Sequence, residues 1–285
     1  MGKTLPRLVV FSDPKKGQAV EVVRHFKDFA KNKAQIIATC NIDDCTADVL
    51  KEADFAVVFG GDGSIISAAR HLSRSNVPVI GVNLGKLGFL AEFSYDELKK
   101  CFDSIISGKA SIEKRMMLSC KVCSGNKVKL TSSALNDVFI AAGPPFRMVE
   151  LKVLVDGQPL AGCVSDGLVI STPTGSTAYN LSAGGPILSG RLEAMVVAPL
   201  CPHSLNFRPI VISAGSRIEV IGLRVNKGTT VSVDGQISMK LSVNDVVKVE
   251  RAKGHFLIVN NPFRTEWDTL ATKLNWAEKP KYRKP

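Results

Sequence analysis

A chain of 285 residues, 45% hydrophobic and 22% charged, is long enough to bury a sizeable core and suits one large or two modest domains, of which two are expected. No run approaches the roughly 18 consecutive apolar residues of a membrane span, and residues 1–11 show neither an h-region nor a cleavage site, so a cytoplasmic protein with no membrane partner is expected. The seven cysteines are an odd number without a secretion signal, which argues against a disulfide framework, and the net charge of +11 suits polyanions without choosing among nucleotides, nucleic acid and anionic surfaces.

Short β-branched runs alternate with amphipathic stretches up to about residue 110, a βαβα rhythm. Strands are expected over residues 7–12, 35–39, 55–59 and 78–83, with helices over 18–31, 64–74 and 94–107. Apolar residues fill the strands almost continuously, as in a parallel sheet covered on both faces. The fold class that follows is an α/β N-terminal domain with an open, mostly parallel sheet.

From about residue 111 the pattern changes to many strands and few helices, among them 151–155, 167–171, 217–221 and 246–250, so a β-rich, sandwich-like C-terminal domain is expected. Val155-Asp156-Gly157-Gln158 and Val233-Asp234-Gly235-Gln236 both read as tight hairpin turns. In the last stretch, Trp267, Leu270 and Leu274 have the spacing of a helix that packs back on the first domain, and the basic residues Lys279, Lys281, Arg283 and Lys284 among prolines read as a solvated tail. The expected organisation is therefore 1–110, 111–260 and a returning segment 261–285.

Gly60-Gly61-Asp62-Gly63-Ser64 stands at the carboxyl end of the third strand and opens a helix, where open α/β sheets bind ligands. Glycines there let backbone N–H groups approach phosphate oxygens, and the helix N-terminus adds partial positive charge. Asp62 is anomalous in such a cradle: it reads either as the helix N-cap or as a group that holds a metal ion or takes a proton. Walker A and Gly-x-Gly-x-x-Gly patterns are absent. A second glycine loop, Gly81-Val-Asn-Leu-Gly85-Lys-Leu-Gly88, leads to Phe89, whose ring either stacks on a base or fills the core.

A third loop, Thr172-Pro-Thr-Gly-Ser-Thr-Ala-Tyr-Asn-Leu-Ser182, is rich in hydroxyl groups among small residues. It suits a close-fitting wall for a nucleoside, or an ordinary polar loop capping a short helix at Ser176 or Thr177. Cys120 and Cys123 have metal-ligand spacing, but no second pair accompanies them and the four histidines stand singly, so no metal ligand is assigned.

The Gly-Gly-Asp-Gly loop, the Thr-Pro-Thr-Gly-Ser-Thr-Ala-Tyr segment and the intervening Asn136-Asp137 pair together resemble the NAD kinase family over roughly residues 55–215. Cys201-Pro-His-Ser204 and Phe207-Arg-Pro209 also look like that family. The resemblance implies an enzyme that moves the γ-phosphate of ATP onto the 2′-hydroxyl of the adenosine ribose of NAD. It implies an active site between the two domains, completed across the interface of a homo-oligomer. Asp62 is then the general base, with Gly61, Gly63 and Ser64 along the ATP phosphates. NAD would meet Asp62, Gly63, Phe89, Asn136, Asp137, Arg147, Asp166, Thr177, Ala178, Tyr179, Asn180, Leu181, Ser182 and Gln236.

A divalent ion, Mg²⁺ by this resemblance, would accompany ATP and be held chiefly by phosphates and water. The chain departs from the family pattern at Ser64, where Thr is common, and at Ala141, Ala142 and Val164, near which basic residues are frequent. A lipid kinase with the same glycine loop, and a passive dinucleotide- or nucleic-acid-binding protein, are the competing readings. The hydroxyl-rich loop opposes the first. The absence of a nucleic-acid module and the presence of Asp62 in the cradle oppose the second.

Overall fold

The computed structural model describes residues 5–14, 17–85 and 87–276. They form two compact units, one made of the residues through Glu113 together with those from Leu257 onward, the other of Lys114–Phe256. The basic tail lies outside the described residues.

In the first unit, β1 (Arg7–Ser12), α1 (Gly17–Ala30), β2 (Gln35–Cys40), α2 (Ala47–Lys51), β3 (Phe55–Phe59), α3 (Asp62–Leu72), β4 (Val79–Val82) and α4 (Tyr95–Ile106) follow one another. The strands are parallel in the order β2-β1-β3-β4. Every residue of β3 is buried, which is why its sequence is a pure apolar run. Edge strand β2 has no fully buried residue, as its Gln35 and Thr39 foretell.

Helix α1 buries Ala19, Val23, Phe26 and Ala30, one stripe at helical spacing. Helix α4 buries Leu98, Cys101, Phe102 and Ile105 and starts at a capping box in which Ser94 and Glu97 satisfy each other's backbone N–H groups. Phe26 meets Phe59 and Phe102 edge to face at 5.3 and 5.6 Å, joining both helices to the sheet.

The returning segment fixes itself to the start of α4. The Asn261 side chain donates to the Glu92 carbonyl at 2.9 Å, and Arg264 pairs with Glu97. The helix Glu266–Leu274 packs through Thr269, and Trp267 is 64% exposed. Of the expected Trp267, Leu270, Leu274 stripe, Leu270 and Leu274 are half-buried on the side of Thr269, whereas Trp267 is left outward.

The second unit is a sandwich of antiparallel sheets. One contains β5 (Ile112–Ser124), β6 (Lys127–Ala134), β8 (Val149–Val155), β9 (Gln158–Ser165), β13 (Ile218–Arg224) and β16 (Asp245–Val259). The other has the order β12-β11-β10-β7-β14-β15, with β7 (Asp137–Ala141), β10 (Gly167–Ser171), β11 (Ala194–Leu200), β12 (Ile210–Ser213), β14 (Thr230–Val233) and β15 (Ile237–Lys240). Met116, Leu118, Leu151 and Val153 from the first sheet meet Val138, Ile140, Leu168, Ile170, Met195 and Val197 from the second in the space between them.

The opposite face of the second sheet carries Val169, Val196 and Ala198, with Phe139, Ala183 and Leu188 packed on them. The hydroxyl-rich loop thus lies over this face. The alternative of a helix cap at Ser176 or Thr177 is not realised: a 3₁₀ turn, Thr174–Thr177, precedes a one-turn helix, α5 (Tyr179–Ser182), and Pro173 and Ala178 occupy the cap positions. Both Asp-Gly turns have positive φ at Asp and Gly, 52° and 78° at Asp156 and Gly157, 53° and 65° at Asp234 and Gly235. The first is a two-residue turn, with Val155 opposite Gln158. The second is longer, with Val233 opposite Ile237, because Asp234 turns its carboxylate onto the backbone of residues 135–137.

Among the described residues no helix is long and apolar enough to cross a membrane.

Candidate active site

In the first unit the glycine loop leaves β3 and enters α3, with Gly61 in the N-cap position and Asp62 as the first helical residue. Asp62 is not the cap. Its carboxylate reaches the loop after β4, where Oδ2 accepts from Phe89 N–H at 2.8 Å and Oδ1 accepts from Leu90 and Ala91 N–H at 3.0 Å each. A Cβ at Gly88 would overlap this carboxylate, so the second glycine loop is shaped around Asp62. An ionised carboxylate offers about four lone-pair directions, and three are taken. The remaining one lies on Oδ2, beside the half-exposed Phe89.

Gly61, Gly63 and Ser64 line an open cleft of about 340 Å³ together with Asp13, Asn41, Ile42 and Ser67. Asp13 follows β1, and Asn41 and Ile42 follow β2. The sequence alone does not single out Asp13, Asn41, Ile42 or Ser67, because only the strand order brings the ends of β1 and β2 to the glycine loop.

In the second unit, the turn at Asp234 organises the start of β7. Its carboxylate accepts N–H groups of Leu135, Asn136 and Asp137 at 2.9, 2.7 and 3.1 Å. Asp137 is 4% exposed, and burial, then the charge of Asp234, pushes its carboxyl up to about 7. The Asn136 carbonyl accepts Thr172 N–H at 2.8 Å, and a Cβ at Gly175 would run into that carbonyl. Asn136, Asp137, the Gln236 turn and the loop bearing Thr177, Ala178, Tyr179, Asn180, Leu181 and Ser182 are thereby drawn together.

Tyr179 stacks edge-on against Phe139 at 4.9 Å. Burial raises its phenol, and the charges of Cys201, Asp137 and Asp166 raise it further, which puts Asp166 in the same neighbourhood. Asp166 is exposed at the corner between β9 and β10. Arg147 is exposed on a different loop, where its carbonyl accepts from the Asn226 side chain at 2.8 Å.

Several hydroxyls of the third loop serve the loop itself. Thr172 Oγ1 donates to the Leu135 carbonyl and accepts Gly175 N–H, and Ser176 Oγ donates to the Pro173 carbonyl and accepts Leu188 N–H. Both residues are fully buried. Asn180 is equally buried, its amide donating to the carbonyls of Ser176 and Pro186. The outward groups are Tyr179 and Ser182.

Residues 9–110 match the model of the ATP-NAD kinase N-terminal domain, and residues 135–261 match that of the ATP-NAD kinase C-terminal domain. An NAD kinase of Rhodopirellula baltica is 37% identical over 277 residues, spanning 95% of this chain and 87% of the relative. The chain belongs to the ATP-NAD kinase family. An NAD kinase of Geobacter metallireducens is 41% identical over 227 residues, 80% of each chain.

Among solved structures, yeast NADH kinase complexed with NADH superposes with a TM-score of 0.82 at 27% identity, covering 99% of this chain and 91% of that one. An NAD kinase from Archaeoglobus fulgidus in complex with ATP shares the fold, with a TM-score of 0.76 at 24% identity over 95% of this chain and 99% of that one. The matched stretches take in every candidate residue: Asp62 and Phe89 fall in the N-terminal ATP-NAD kinase domain, Asn136 through Gln236 in the C-terminal one.

Proposed function

We propose that this member of the ATP-NAD kinase family transfers the γ-phosphate of ATP to the 2′-hydroxyl of the adenosine ribose of NAD, giving NADP and ADP. The observation that carries the reading is Asp62, a carboxylate fixed by three backbone N–H groups with one acceptor direction left, beside a glycine-lined cleft.

In this mechanism the 2′-hydroxyl donates a hydrogen bond to Asp62 Oδ2. As the hydroxyl oxygen bonds to the γ-phosphorus, its proton passes to Asp62 and the bond to the β-phosphate oxygen breaks, releasing ADP. Gly61, Gly63 and Ser64 lie along the phosphates, where the N-terminal end of the eleven-residue α3 favours negative charge. Phosphoryl transfer of this kind demands mainly positioning and charge neutralisation, and the glycine loop supplies the first.

The 111–260 domain binds the dinucleotide in this reading, with Asn136, Asp137, Asp166 and residues 177–182 around it and Arg147 and Gln236 at its margin. Asn180 acts there by shaping the loop from within, as its burial supports. A divalent ion with ATP, Mg²⁺ in this proposal, neutralises the triphosphate. Asp13, Ser64 and Ser67 give the cleft hard oxygen donors of the kind such an ion takes.

We further propose a cytoplasmic homo-oligomer, and the exposed Leu205, Ile210 and Val211 at and near edge strand β12 support an association surface. Light scattering behind size exclusion tests it: a single species at monomer mass contradicts it. For the activity, purified protein is incubated with NAD, ATP and Mg²⁺, and NADP is detected with an NADP-specific dehydrogenase. NADP formation is expected, and none under varied donor and metal overturns the proposal.

A further inference from the structure

One carboxylate at the cleft has no part in the proton transfer above. Asp13 owes its place to topology. In the order β2-β1-β3-β4, the chain leaves β1 toward β2 on one side and leaves β3 toward β4 on the other. Connections that diverge in this way open a crevice outside the carboxyl ends of the two central strands, where open α/β sheets take ligands. Ser12, the last residue of β1, pairs with Phe59, the last residue of β3, so Asp13 and Gly60 begin the two walls of that crevice.

The glycine loop consequently has two sides. Asp62 points toward residues 89–91, which follow β4, and is not among the residues lining the cleft. Asp13 lines it, with Asn41, Gly61, Gly63, Ser64 and Ser67. A carboxylate facing a triphosphate is repulsive unless a cation stands between them. Mg²⁺ is commonly bound by one or two carboxylates, with substrate phosphates and waters completing its shell. Among the described residues no group of three His, Cys, Asp or Glu converges, so a single carboxylate sharing the ion with the nucleotide is the arrangement this cleft offers.

We propose that Asp13 is a protein ligand of the divalent cation that accompanies the nucleotide triphosphate. The inference rests on the nucleotide reading of the cleft and deepens it. Asp13 is a positioning residue: it anchors the cation on the β1–β2 side, and the γ-phosphate is thereby presented to the hydroxyl held by Asp62 on the β4 side.

The test uses Mn²⁺ as the metal, AMP-PNP as the nucleotide and the full chain, with free Mn²⁺ read by electron paramagnetic resonance. Wild type is expected to retain Mn²⁺ in the ternary complex, Asp13→Asn to hold it at least about 10- to 100-fold less tightly, the loss that removing even an outer-shell partner of a metal produces, and Asp13→Glu to restore most of the affinity. NAD binding, measured separately by calorimetry, should be unchanged in both variants, which also verifies their folding. Equal Mn²⁺ affinity in wild type and Asp13→Asn overturns the inference, as does tighter metal-free nucleotide binding by Asp13→Asn with no loss of Mn²⁺. Wild type that fails to bind AMP-PNP with or without Mn²⁺ overturns the nucleotide reading itself.

Discussion

Replacing Asp62 by Asn removes one charge and one acceptor where three backbone N–H groups converge. An Asn oxygen in the Oδ1 position keeps the bonds to Leu90 and Ala91, but its amide nitrogen then faces Phe89 N–H across 2.8 Å, donor against donor. Losing a hydrogen bond to a charged acceptor costs about 1.5–3 kcal/mol, and the half-buried site favours the lower end. Loss of a general base costs roughly 10²–10⁴ in rate. The variant should therefore fold, with a urea midpoint reduced by an amount equivalent to about 1.5 kcal/mol, and lose at least about a hundredfold in kcat while KM for NAD moves little. Turnover close to wild type would show that no proton passes through Asp62. A collapse of stability matching the loss of turnover would show that the carboxylate only holds the loop.

Gly88→Ala tests the same contact from the other side: the new Cβ displaces the Asp62 carboxylate, so kcat should fall with the catalytic residue still present, and activity near wild type would contradict the geometry. Asp137 keeps its proton to about pH 7 when folded but releases it near 3.8 when unfolded, so the folded state binds more protons between these values and stability falls as pH rises through that window. Asp137→Asn should flatten this part of the stability profile, measured by denaturation at a series of pH values, and an unchanged slope would assign it elsewhere. Lys129 Nζ lies 2.8 Å from the wholly buried Asp245: burial pushes this carboxyl up, but the hydrogen bonds from Lys129 and from Ser242 N–H together outweigh it and leave the carboxyl lowered. Lys129→Met should cost about 3 kcal/mol at neutral pH by stranding that charge, and a loss under about 0.5 kcal/mol would place the pair among weak surface bridges.

Strands β1, β3 and β4 were legible because they are continuous apolar runs between helical stripes, a pattern that burial on both faces imposes, whereas edge strand β2, with no fully buried residue, was legible from its place in the βαβα rhythm. Strands β5 and β16 were harder to read. In β5 the charged Glu113 and Lys114 and the buried Arg115 interrupt the apolar residues at its start, and in β16 only residues 246–250 are legible as a strand, because Arg251, Lys253 and Gly254 break the apolar run beyond them. The hydroxyl-rich loop shows a deeper limit. Composition counts Thr172 and Ser176 as potential ligand donors, but the fold commits both to carbonyls and N–H groups of its own backbone. Asp62 was legible as an anomaly, whereas its partners at 89–91 lie 27 to 29 residues away and depend on the β3–β4 pairing that brings the two loops together. Asp13 followed by Pro14 reads locally as a turn, and only the strand order gives it a place at the cleft.

The central claim is transfer of one particular phosphate to one particular hydroxyl, and isotope transfer tests it most directly. Wild-type protein is supplied with NAD, Mg²⁺ and ATP labelled with ¹⁸O in the γ-phosphate, and the dinucleotide product is analysed by ³¹P NMR. The account predicts that the label arrives on the 2′-phosphate of the adenosine ribose. Label recovered only in inorganic phosphate, or on any other position of the dinucleotide, would contradict it.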